Sequence, residues 1–200
     1  MPALMVHLAA ARLLMPRADT LFYIGNIAPD AVTGHYEKDH THLRDLPLAR
    51  REAELRRMAS TAGPLDIYAQ GVIFHLYLDM CWDRTHLLQY IEDRADWFVP
   101  YRAEISLVSA LLFRRLPWAD PLWRRMDDYD CSALPVLAGA DGGAVAGLID
   151  RNGRWHREQP GDRPSAAFPP ELVERFMAET AEAYKTFWRD AAGMDVGFWE

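Results

Sequence analysis

Between Gly71 and Trp82 the chain reads Gly-Val-Ile-Phe-His-Leu-Tyr-Leu-Asp-Met-Cys-Trp, an apolar and aromatic run that encloses one imidazole and one carboxylate. A spacing of four residues puts His75 and Asp79 on the same face of a helix. Phe74, Leu76, Tyr77, Leu78 and Met80 turn that face towards the interior. A carboxylate taken inside is costly unless a cation or hydrogen bonds meet it. The helix is expected to open at Pro64, a residue suited to the first helical turn after Gly63, and to run to about Trp82.

The rest of the chain repeats the helical period. Leu4, His7, Leu8, Ala11 and Leu14 share a face over 3–15, and Leu172, Phe176, Thr180, Ala183 and Phe187 share another in a last helix that starts at Pro169-Pro170 and runs to about Ala192. Further helices are expected over 46–61, 84–95, 100–115, 119–128 and 131–139. The run Arg50 to Arg57 reads as a solvated helix face with i,i+4 pairs such as Glu52–Arg56. Residues 21–45, with Gly25, Pro29 and Gly34, read mostly as loop, and so long a loop in a compact domain points to function. Residues 140–166 read as an irregular excursion, with turn signals at Asp141-Gly142-Gly143 and Asn152-Gly153, which could cover a site or mediate oligomerisation. No alternating strand pattern and no internal repeat is present. The expected architecture is all-α, a single-domain helical bundle over 1–200.

Composition narrows the partners. Two hundred residues with 26% charged suit one soluble globular domain. A net charge of −7 argues against a general grip on a nucleic-acid duplex or an anionic membrane, and leaves room for a small phosphate ester if a metal supplies local positive charge. Cys81 and Cys131 stand fifty residues apart without a CxxC motif, which excludes a zinc ribbon. The N-terminal segment lacks the early basic residues of a signal peptide, and His7 interrupts its apolar run. No apolar run approaches the ~20 residues of a membrane span. The expectation is a cytoplasmic protein.

Six of the seven His lie before residue 87. His7, Asp30 and His42 precede the His75/Asp79 pair, and imidazole nitrogen with carboxylate oxygen is the donor set that zinc, iron or manganese takes. His35 and His40 in the polar loop, and His86 early in the next helix, are expected to be solvated. Each residue also has a plain reading: His7 as a core histidine, His75 and Asp79 as a buried hydrogen-bonded pair, Asp30 as a helix cap, His42 as a loop residue. Arg44 with Asp45 reads as an ion pair before it reads as a phosphate contact.

In order, Gly25-Asn26-Ile27-Ala28-Pro29-Asp30-Ala31, Thr41-His42-Leu43-Arg44-Asp45 and Phe74-His75-Leu76-Tyr77-Leu78-Asp79-Met80-Cys81-Trp82, with the early helical His7, resemble the zinc-dependent phospholipase C family and, more distantly, the S1/P1 nucleases. The resemblance covers roughly residues 1–83 and implies an all-α phosphodiesterase. It implies that Asp30, His42, His75 and Asp79 hold one metal, that Asp79 bridges to a second bound by His7, and that Asp30 is the general base. The ligand set is reduced. Met1-Pro2-Ala3 stands where the family has a metal-binding N-terminal Trp, and after His86 no later HxxxD or HxxxE follows for a third zinc. One or two zinc ions, with iron or manganese as alternatives, are therefore expected.

The expected function is metal-dependent hydrolysis of a phosphate ester. One alternative is an HD-type phosphohydrolase, which wants an adjacent His-Asp pair where this chain has Asp39-His40. Another is a metal-stabilised helical protein without catalysis, favoured by the missing third-site ligands. A diiron carboxylate bundle would need two Glu-x-x-His motifs on core helices, and Glu37 to His40 supplies one, in the polar loop.

Overall fold

The computed structural model describes residues 2–63, 66–92, 94–137 and 139–193. The described residues are all-α. Their helices are α1 (Leu4–Leu14), α2 (Thr20–Ile27), α3 (His35–Thr41), α4 (Leu48–Ala62), α5 (Ile67–Trp82), α6 (Leu88–Ile91), α7 (Phe98–Arg115), α8 (Ala119–Asp127), α9 (Gly142–Glu158) and α10 (Pro170–Ala192). A single hydrophobic core takes residues from Ala3 through Trp188.

Two helices lie inside the bundle. α5 is buried on nearly every side from Tyr68 to Met80, and α1 is buried from Met5 to Ala11. Around α5 pack α1, α2, α4 and α10, while α7 and α10 cover α1. Each fully buried Leu, Ile or Phe of this layer contributes about 1.5–3 kcal/mol relative to exposure. Such a continuous apolar run can therefore sit still only at the centre.

The closest crossing is that of α2 with α5. A side chain at Gly25 would meet the Tyr68 carbonyl oxygen at 2.2 Å, and one at Gly71 would meet the Phe22 carbonyl oxygen at 2.2 Å. These two glycines let the backbones touch. Pro64 lies outside the described residues; the described helix begins at Ile67, with the Asp66 carboxylate accepting from the Ala69 N–H at 2.9 Å.

Several expectations need correction. Residues 21–45 are not mostly loop. Asp19 caps α2 by accepting from the Leu21 N–H at 2.8 Å, a 3-10 turn over Ala28–Ala31 follows, and α3 comes next. Gly25, which argued against helix, is the residue that admits α5.

The 140–166 segment is not an irregular excursion either, since α9 fills 142–158. What reads as a turn at Asp141 is a cap: its carboxylate accepts from the Ala144 N–H at 2.8 Å, and Val145, Leu148 and Ile149 form the buried stripe behind it. The helix expected over 131–139 is only a 3-10 turn at Cys131–Ala133. Pro135 pushes the residue before it out of helical geometry, and Leu134 is extended.

The helix expected over 84–95 is a continuation of α5. A wide π-turn over Asp83–Leu87 passes directly into α6. Helices expected over 3–15, 46–61, 100–115, 119–128 and 169–192 are present within one or two residues at most boundaries. Glu52 and Arg56 pair at 3.0 Å.

Candidate metal centre

Five side chains singled out in the sequence meet at one place beneath the α2–α5 crossing. His75 and Asp79 come from α5, His7 from α1, Asp30 from the 3-10 turn, and His42 from the end of α3. His7, His75 and Asp79 form one group whose possible ligand atoms lie within 4.8 Å of one another, and Asp30, His42 and His75 form another.

Backbone geometry delivers each of them. The close approach at Gly25 and Gly71 puts the Asn26 carbonyl 2.8 Å from His75 Nδ1. The Lys38 carbonyl, one turn back along α3, is 2.8 Å from His42 Nδ1. Leu43 then reverses the chain in the left-handed region, at φ 58°. That conformation costs an L-residue roughly 1–2 kcal/mol. It lets His42 and Arg44, on either side, both turn towards α5.

The ring protons can be placed from these contacts. A carbonyl only accepts, so both Nδ1 atoms carry hydrogen and both Nε2 atoms present lone pairs. The two Nε2 atoms face each other 3.2 Å apart. Two lone pairs at that distance repel one another unless an electrophile lies between them. A proton could serve only by charging a ring, and burial, with His7 alongside, holds the His75 imidazole well below its ordinary value.

The carboxylates complete the set. His42 Nε2 is 3.6 Å from Asp30 Oδ1 and 3.8 Å from Asp79 Oδ2, and His75 Nε2 is 3.9 Å from Asp79 Oδ2. In a tetrahedral shell with metal–nitrogen bonds of about 2.05 Å, neighbouring ligand atoms stand about 3.3 Å apart. These separations match or modestly exceed that. Backbone carbonyls behind both rings are the outer support expected of ligating histidines.

His7 sits on the other side of Asp79. Its ring stacks on His75 at 3.9 Å between centroids, and its Nε2 lies 3.2 Å from Asp79 Oδ1. The angles there are not those of a hydrogen bond, so both His7 nitrogens and Asp79 Oδ1 are buried without hydrogen-bond partners. The donor atoms therefore fall into two overlapping groups that share His75: Asp30 and His42 on one side, His7 and Asp79 on the other.

Arginines hold the acids. Arg44 reaches Asp79 Oδ2 at 3.3 Å and grips Asp83 at 2.9 and 3.1 Å, while Arg51 meets Asp83 at 3.1 Å. Burial works against the Arg44 charge, yet Asp79 and Asp83 keep its guanidinium more firmly protonated than usual. Burial pushes the Asp79 carboxyl up; His7, His75 and Arg44 outweigh it and hold the group well below the usual carboxylate range.

Asp30 behaves alike. Burial raises it, and Lys38 with His42 and His75 draws it well below the ordinary value. Lys38 Nζ is 2.6 Å from Asp30 Oδ1. This contact is an ion pair without hydrogen-bond alignment, and Oδ1 remains unsatisfied.

Asp30 and Lys38 also line a cleft of about 330 Å³. Arg102, Ser109, Trp155 and His156 line the same cleft. The buried Ser109 hydroxyl donates to His156 Nε2 at 2.9 Å, and His156 Nδ1 donates to the Asn152 carbonyl at 2.7 Å.

The remaining candidates lie elsewhere. His35 is solvent-exposed beside Asp39, and His40 is exposed and pairs with Asp45 at 2.8 Å. His86 packs on Trp82 and Phe176 in a separate groove. Arg44 and Asp45 are each in ion pairs, with other partners than one another.

The motif reasoning passed over Lys38, Arg51, Asp83, Ser109 and His156 as parts of this region. Asp83 had a signal, since it continues the four-residue spacing of His75 and Asp79. Among the described residues no helix is long and apolar enough to cross a membrane. No protein-family model, curated protein or solved structure matches the chain.

Proposed function

We propose that this protein is a metal-dependent hydrolase of a phosphate ester, built on one principal metal, with zinc the first candidate and iron or manganese next. The observation that carries the reading is the pair of Nε2 lone pairs facing each other at 3.2 Å with two ionised carboxylates around them. Histidines and carboxylates so arranged suit a divalent cation. The motif resemblance to zinc-dependent phospholipase C supports the choice of ester, as does the cationic side of the cleft at Lys38 and Arg102.

A divalent cation bound there would supply a water of lowered pKa and positive charge for the oxygens of the ester. The chain's own residues do the rest. Asp30, at the cleft wall, is the carboxylate placed to take the proton of the attacking water. Arg44 fixes the orientation of Asp79 by donating to its Oδ2. The cleft volume suits a compact substrate.

A second reading is a metal-stabilised or metal-free helical protein. It is favoured by the local balance of charge, with Asp30, Asp79 and Asp83 already facing Lys38, Arg44 and Arg51. The HD-type alternative has little here, because His40 is exposed and pairs with Asp45.

Elemental analysis of purified wild type beside Asp79→Ala, followed by hydrolysis of a chromogenic phosphodiester, tests the proposal. The expected outcome is about one equivalent of metal and measurable turnover in wild type, with both lost in the variant. Metal without turnover on any phosphodiester or phosphomonoester would move the protein to the structural reading. Absence of metal after reconstitution would remove the metal altogether.

A further inference from the structure

Lys38 occupies an unusual place. Its backbone carbonyl orients His42, while its side chain reaches Asp30 Oδ1, the oxygen that faces His42 Nε2. The ammonium is thus seated on a ligand atom of the candidate metal site. The Lys38 side chain is about a quarter exposed, whereas that of Asp30 is 7% exposed. The ion pair lacks hydrogen-bond alignment, which leaves Asp30 Oδ1 unsatisfied and aimed into the site. Lys38 also borders the cleft, and Arg102 stands on the same cleft without a carboxylate partner among the described residues.

We propose that Lys38 is an exchangeable cation: it neutralises Asp30 when no metal is bound, and a metal that takes Asp30 Oδ1 displaces it into the adjoining cleft, where with Arg102 it binds the anionic group of a small phosphate-bearing ligand. The inference rests on the metal reading of the site.

Its physical basis is competition for one buried oxygen. Two cations cannot share Asp30 Oδ1 without strong repulsion in a partly desolvated site. The flexible lysine stem lets the ammonium leave without moving α3, so its carbonyl keeps holding His42. Freed, the ammonium has solvent and the cleft to enter. Metal loading would therefore create an anion site that the metal-free protein lacks, and a phosphate would meet the metal on one side and two side-chain cations on the other.

Calorimetric titration with zinc, then with inorganic phosphate on the zinc-loaded protein, tests this in wild type, Lys38→Met, Arg102→Ala and Asp79→Ala. Lys38→Gln is a second substitution should Lys38→Met fold poorly. Lys38→Met is expected to bind zinc roughly tenfold tighter than wild type and, once loaded, to bind phosphate roughly tenfold more weakly. Arg102→Ala is expected to weaken phosphate without changing zinc.

Unchanged zinc affinity in both Lys38 variants overturns the exchange, and unchanged phosphate affinity in them overturns the cleft role. Zinc binding by Lys38→Met but not by wild type supports the exchange in its strongest form. If wild type and both Lys38 variants all refuse zinc, it is the metal reading that fails, and the inference falls with it.

Discussion

His42 and His75 are held by carbonyls so that neither can donate to the other, and both Nε2 lone pairs are left turned into the candidate centre. A buried pair selected only for packing would have one ring turned so that its N–H met the other's lone pair. His156 offers the contrast. Its Nδ1 also donates to a carbonyl, but its Nε2 receives the Ser109 hydroxyl, so the ring is satisfied as a neutral base.

Burial depresses the His156 imidazole from 6.5 to about 4. The unfolded chain takes up a proton near the higher value and the folded protein only near the lower. Above the higher value this residue adds no pH dependence. Stability then falls as pH drops between the two, by about 3 kcal/mol in all from this residue. Urea unfolding at about pH 7.5 and about pH 4.5 is expected to show the loss, and His156→Gln to lose less over the same interval. An equal pH dependence in the variant would contradict this.

At the residue scale the candidate ligands were legible because their spacing and apolar neighbours single them out. Lys38, Arg51 and Asp83 were not, because a charged residue in a polar stretch looks the same whether it faces water or a buried acid.

Helices bring these residues together through two glycines. Gly71→Ala would press a methyl group into the Phe22 carbonyl and force α2 away from α5. The expected cost is about 1–3 kcal/mol or more, read as a lower urea midpoint. Because the Asn26 carbonyl would recede from His75, zinc affinity should fall in the same variant. A loss of stability with unchanged zinc affinity would separate the crossing from the site.

The same crossing explains a misread element. Gly25 and Pro29 look like breaks in the sequence, and so α2 read as loop; a glycine needed for close approach has the same letter as one needed for a turn. In α9 an aspartate before two glycines has the letters of a turn and acts as a cap. Where apolar residues recur at helical spacing without glycine, as in α1 and α10, periodicity was a sufficient guide.

For the molecule as a whole, the candidate centre ties α1, α2, α3 and α5 together, so a bound ion would act on global stability. A ligand at one hundred times its Kd stabilises the folded state by about 2.7 kcal/mol. For a chain near this size that amounts to a rise in Tm of about 5–10 °C. Calorimetric scans with zinc and with a chelator are expected to differ by that much in wild type and not in Asp79→Ala.

One further feature concerns how the two halves of the chain are phased. The π-turn over Asp83–Leu87 contains a residue more than an α-helical turn would use. In genealogical terms it has the form of a one-letter insertion that the helix absorbed rather than expelled. Deleting a single residue there, Thr85 for instance, would let α5 run into α6 as ordinary α-helix. Everything beyond the deletion would then be rotated by about 100°. His86 would leave Trp82 and Phe176, and Tyr90 would leave Tyr101 and Phe168. The half that carries the candidate centre would keep its own geometry and lose its alignment with the half that brings Arg102, Ser109 and His156 to the cleft.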